Sequence, residues 1–139
     1  PGCGLIEKHD GGVERERILS VLVATSRDAD DALRGWAVEG LALFGGYDAI
    51  GPLVSIAASD RAAAIRERAF CALAQYGTFG RDERYRAIPG LLAIAQSNRS
   101  NQQNLDWTYR ALSEITGIAN VPHNPRAWRT RLQAVGLLT

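Results

Sequence analysis

The chain has 139 residues, enough for one domain with a real core, and 46% of them are hydrophobic, as a folded protein requires. With 16 basic and 15 acidic residues the formal net charge is +1, so no field is built for nucleic acid or an anionic membrane surface. No apolar run approaches the ~20 residues of a membrane-spanning helix.

Residues 1–12 contain Gly2, Gly4, Gly11 and Gly12 without a periodic pattern, and read as an extended N-terminal arm. Residues 13–139 read as one repeat domain ending in a capping helix. Methionine is absent and the chain begins at Pro1, so a processed chain is expected, with a lean towards an extracytoplasmic, periplasmic location. Pro1-Gly2-Cys3-Gly4 makes Cys3 a candidate for lipidation, or, if the protein is exported, for a disulfide. Cys71, among Phe70, Ala72 and Leu73, reads as a buried, inert thiol. His9 and His123 form no short-spaced pair, so neither a metal nor another cofactor is expected.

Val13 to Ala24 carries Ile18, Leu19, Val21, Leu22 and Val23, and reads as a first repeat lacking its leading helix, with a solvated start at Glu14-Arg-Glu-Arg17. In Arg27-Asp-Ala-Asp-Asp31 the glycine and distal glutamate of a calcium loop are missing, and Asp30 reads as the N-cap of the next helix. From there the sequence repeats. Leu33, Ala37, Gly40, Leu41, Phe44 and Gly45 return after an offset of 32 as Ile65, Ala69, Ala72, Leu73, Tyr76 and Gly77. A further offset of 39 gives Asn104, Thr108, Ala111, Leu112, Ile115 and Thr116, a set whose first members have turned polar. The intervening helices repeat as well, Ile50, Leu53, Val54, Ile56 and Ala57 moving by 38 onto Ile88, Leu91, Leu92, Ile94 and Ala95.

The spacing within each set places its members on one side of a helix, and the small residues admit a close neighbour. Gly45 and Gly77 stand where a left-handed cap ends a helix. A pair of such helices cannot bury its apolar face alone, whereas stacked pairs can. Six residues are inserted near Thr78–Glu83, and inserted loops often carry contacts. Phe79, with Arg81, Arg84 and Arg86 around it, is a partner-binding candidate, with packing back onto the core as the alternative. Gln96 to Asn104 is a polar turn, and the last repeat helix is expected over about 105–115. Asn124 then caps a helix opened by Pro125, in which Trp128 is placed to cover the end of the stack.

Asp48-Ala-Ile-Gly-Pro-Leu-Val, Asp60, Ile65-Arg66, Ala69, Ala72-Leu73 and Gly77 resemble the HEAT-like repeat of the phycobilisome-lyase type. Leu33-Arg34, Ala37, Leu41 and Gly45 match its second half again, and Ile88-Pro-Gly-Leu91-Leu92 its first half, so the resemblance covers about residues 13–117. It implies an all-α, right-handed α-α superhelix of HEAT/armadillo type, with about seven helices and an arginine ladder along its turns. Asn104-Leu105 departs from the motif where the third ladder arginine belongs.

Trp36, Arg68 and Trp107 are equivalent by the same offsets, and a regular stack aligns them in a column. The column reads as inter-helix packing, or as an aromatic strip for a partner with cation–π contacts of ~0.5–1 kcal/mol. Glu39, Glu67 and Glu114 read as solvated, and no Gly-x-Ser-x-Gly, phosphate-binding or dinucleotide motif is present. The expected function is therefore non-enzymatic: an adaptor or structural subunit that binds another protein, within a larger and conceivably membrane-attached complex. The resemblance implies an alternative, a bilin-lyase-like accessory enzyme or chromophore-binding protein. A third reading, weak nucleic-acid binding through Arg81, Arg84 and Arg86, is opposed by the near-neutral charge.

Overall fold

The computed structural model describes the backbone from Gly2 to Thr139 and side chains from Gly12 onwards. Cys3 and His9 are therefore outside the described side chains. Among the described residues there are eight helical segments and no strand: α1 (Gly2–Thr25), α2 (Asp31–Phe44), α3 (Tyr47–Ser59), α4 (Ala63–Ala74), α5 (Arg81–Tyr85), α6 (Ile88–Gln96), α7 (Gln102–Thr116) and α8 (Pro125–Ala134). Seven are real helices and α5 is little more than one turn.

Three antiparallel pairs follow one another, α1 with α2, α3 with α4, and α6 with α7. The second members α2, α4 and α7 lie side by side in one layer, and α3 and α6 in the other. The core runs between the layers. Val38, Leu41, Leu53, Leu73, Leu91, Leu92 and Leu112 sit at its centre, and small residues such as Ala37, Ala69 and Ala72 admit the neighbouring helices.

Caps set the boundaries. Asp30 accepts N–H bonds from Ala32 (2.8 Å) and Leu33 (3.1 Å) as the N-cap of α2. Asn101 and Asn124 do the same for α7 and α8. Gly45 (φ +69°) ends α2. Gly77 (φ +93°) lets the chain cross the end of α2, where a Cβ would stand 2.6 Å from the Ala42 carbonyl oxygen. The two junctions of the α1/α3/α6 layer differ. Gly90 brings α6 close to α3, since a Cβ there would meet Val54 Cγ1 at 2.6 Å. Between α1 and α3 a groove of about 560 Å³ stays open, walled by Val23, Ser26 and Arg27 on one side and Pro52, Ser55 and Ser59 on the other.

Three expectations are corrected. The extended arm over residues 1–12 is helical backbone from Gly2, continuous with the apolar stretch that follows. Glycine lowers helix propensity by ~1 kcal/mol without forbidding it, and no proline interrupts the run. The first repeat does not lack its leading helix, because α1 is that helix and packs on α2 through Leu22, which lies against Gly40. Leu33, aligned with buried Ile65, is 46% exposed, since among the described residues no helix lies against α2 as α2 lies against α4.

Candidate protein-interaction surface

The turns between paired helices carry the ladder. Arg34 is buried at the start of α2 and donates from Nε to Asp60 Oδ2 (2.9 Å) and from Nη2 to Asp60 Oδ1 (3.3 Å). Its Nη1 donates to the carbonyls of Asp28 (3.1 Å) and Ala29 (3.2 Å), and Asp31 closes the set. The Asp60 hydrogen bonds, the largest influence, hold the guanidinium above its ordinary pKa. Arg66 repeats the pattern one unit on, with Nη1 donating to the Asp60 carbonyl (2.7 Å) and Nε to Asn104 Oδ1 (2.9 Å). Asn104 thus replaces an apolar residue in order to receive Arg66, and its amide reaches back to Ala57 O (3.4 Å). Thr108, also buried, donates to Asn104 O (2.7 Å). The two polar substitutions in the third repeat are the last rung of the ladder, and Leu105 ends it.

The inserted segment is structural where contacts were expected. Phe79 is 7% exposed and belongs to the core, the second of the two placements its loop allowed: the turn through Gly77 and Thr78 is pinned to the end of α2 and carries the ring inward. Arg84 donates to the carbonyls of Ala72 (2.9 Å), Leu73 (2.7 Å) and Tyr76 (3.1 Å), capping the C-terminal end of α4. Burial pushes its pKa down. Arg86 is exposed and lies 4.7 Å above the Tyr47 ring, and Arg81 is exposed at the start of α5. The three arginines therefore do not form one patch.

The column of Trp36, Arg68 and Trp107 is also resolved into separate roles. Trp107 is half-buried, with its ring 5.9 Å from Phe70 of the preceding helix. Arg68 makes no cation–π contact with either tryptophan among the described residues. It lies along Gly35 and pairs with Glu39 at 3.6 Å, the nearer opposite charge. Glu39 also accepts from Tyr76 Oη (3.1 Å), and burial first, then Glu39, pushes the Tyr76 hydroxyl up. Cys71 is partly buried at a small cleft with Glu67, Trp107 and Glu114, and burial chiefly raises its thiol pKa. Trp36 is 58% exposed.

Trp36 belongs to a surface that repeat arithmetic alone did not isolate. Leu22 and Arg15 of α1 face α2, where the Arg15 guanidinium lies 4.0 Å over the Phe44 ring. Val23 and Ser26 face α3. Helical geometry puts Ile18 and Val21 on the opposite flank, away from the stack, and both are exposed. On α2, Leu33, Trp36 and Leu43 are exposed as well, Leu43 to 69%. The first pair thus carries Ile18, Val21, Leu33, Trp36 and Leu43 as exposed large apolar side chains, beside Val13. For Leu33 the signal was hidden because its equivalent, Ile65, is core. Among the described residues, no group of three metal-ligating side chains occurs, and no helix is long and apolar enough to cross a membrane.

A family model described as HEAT repeats matches residues 18–117 of the chain. No curated protein and no solved structure matches it.

Proposed function

The chain belongs to the HEAT-repeat family, and from that premise we propose that it is a non-enzymatic protein-interaction module, an adaptor or structural subunit of a larger complex. The observation that carries this reading is the concentration of exposed large apolar side chains on the first helix pair, at Ile18, Val21, Leu33, Trp36 and Leu43. Large apolar side chains left exposed together on one element mark interaction sites. Tryptophan is among the residues that dominate binding energy once covered. The stack behind it is held by buried leucines and by the arginine ladder, so the surface is presented on a rigid support. Membrane-attached complexes are included among the assemblies such a subunit would join.

The test is a pull-down with the full chain as bait, from soluble and detergent-solubilised membrane fractions of the source cells, read by mass spectrometry. A stoichiometric protein partner is expected. Capture of nothing in either fraction, together with a change in bilin absorbance on mixing, overturns the adaptor reading in favour of a bilin-lyase-like protein.

A further inference from the structure

The rear face of each second helix recurs at fixed positions. In α4 it comprises Ile65, Arg68, Ala72 and Tyr76, laid against α2. In α7 it comprises Asn104, Trp107, Ala111 and Ile115, laid against α4. The equivalent residues of α2 are Leu33, Trp36, Gly40 and Phe44. Leu22 covers Gly40 and Arg15 covers Phe44, but Leu33 and Trp36 stay exposed. Trp36 holds the position from which Trp107 meets Phe70 of the preceding helix.

The ladder is repeated there too. Asp60 Oδ1 accepts the Ala62 N–H at 2.8 Å, two residues on, and its Oδ2 receives Arg34 of the preceding helix. Asp28, equivalent to Asp60, makes the same turn, its Oδ1 accepting the Asp30 N–H at 2.8 Å. Its backbone carbonyl receives Arg34 as that of Asp60 receives Arg66. Among the described residues no guanidinium reaches the Asp28 carboxylate. Among the described residues the rear of α2 therefore offers both halves of an inter-repeat junction: exposed Leu33 and Trp36, and an acid shaped by its turn to accept an arginine.

We propose that the first helix pair docks an amphipathic helix of a partner protein, received as the second helix of a preceding repeat would be. An apolar side chain of the partner covers Trp36 and Leu33, and an arginine of the partner pairs with Asp28. This rests on the interaction-module reading and names the face used and the chemistry of the occupant. Asp30 caps α2 and Asp31 pairs with Arg34 and Arg61, so among the described residues Asp28 is the carboxylate that favours a cationic group on the occupant.

The probe is a peptide with the sequence of residues 60–76, stapled between positions 64 and 68 to hold it helical. It carries the Arg66 and Phe70 that meet α7 within the stack. It is labelled and titrated with the full chain, read by fluorescence anisotropy. Saturable binding tighter than about 1 mM is expected. Trp36→Glu abolishes it, and Asp28→Ala weakens it roughly tenfold, as loss of a charge-assisted contact does. Arg66→Ala in the peptide costs the same factor, and combining it with Asp28→Ala costs no more. Trp36 and Asp28 are exposed, so both variants keep the melting temperature of the parent chain. Failure of the parent chain to bind, or binding indifferent to both substitutions, overturns the proposal. So does a concentration-dependent dimer of the chain abolished by Trp36→Glu, which would make a second copy the occupant. Used as bait, the Trp36→Glu variant separates the two readings. A stoichiometric partner that it still captures preserves the adaptor role and overturns this docking face.

Discussion

At the C-terminal end of the stack, Tyr109 lies under His123 with ring centroids 4.8 Å apart, and Trp128 and Leu132 are fully buried. At the N-terminal end the rear of α2 has no such cover, and Trp36 stands out of the surface. Both ends face the same problem, since a repeat helix is apolar on the sides that meet its neighbours. One end solves it with residues 118–139, where Ile118, Val121, Leu137 and Leu138 pack on the core beside α8. The other leaves its apolar residues exposed. Among the described residues, one side of the stack is covered by its own chain and the other presents Leu33 and Trp36 to solvent.

The two tryptophans test this contrast most directly. Trp128→Ala removes a fully buried ring from the capping helix α8 and is expected to lower stability by about 3–5 kcal/mol. Trp36→Ala is expected to stay within about 0.5 kcal/mol of the parent. Urea unfolding followed by circular dichroism measures both, provided the denaturant slope is shared. Equal losses would show that the N-terminal end is as tightly covered as the C-terminal one.

A finer contrast compares two aspartates that occupy equivalent positions. Asp60→Ala leaves the Arg34 guanidinium buried without its principal partner. A drop in Tm of roughly 5–10 °C is expected, because breaking one side of a buried ion pair is costly. Asp28→Ala removes only a local turn contact and is expected to shift Tm by less than about 2 °C. A thermal melt of the two variants beside the parent decides it. If Asp28→Ala were equally destabilising, its carboxylate would already be serving the folded chain.

Repeat arithmetic in the sequence located every major helix after residue 30, because apolar spacing and small residues are dictated by stacking itself. It did not show that Phe79 turns inward, since a loop aromatic is directed by where its flanking residues anchor, and Thr78 anchors on α2. Arg84 looked like a free surface cation because the orphan carbonyls it serves lie 8 to 12 residues away at the end of α4. The Asn104 substitution was visible, but its purpose was not, because Arg66 reaches across 38 residues to use it. The docking face was the least legible. Leu33 and Ile65 are interchangeable as letters, and only the missing neighbour distinguishes an exposed leucine from a core isoleucine.

Alkaline pH offers the gentlest probe of the contrast, through tyrosines that sit at different junctions. Tyr76 bridges the first and second repeats, where burial and then Glu39 raise its pKa, and Tyr109 lies at the covered C-terminal end, where burial alone raises it. A group whose folded pKa exceeds its unfolded value stabilises the protein fully below the unfolded pKa, about 10 for tyrosine, and loses that contribution as pH rises through the folded value. Stability should therefore be level up to about pH 10 and fall above it. Tyr76→Phe should flatten the fall more than Tyr109→Phe, because Tyr76 has a negative charge beside it as well as burial. Urea midpoints from pH 8 to 11 measure the slopes. A steeper contribution from Tyr109 would mean that the cover over the C-terminal end, and not the Glu39 contact between the first two repeats, governs how the stack opens in alkali.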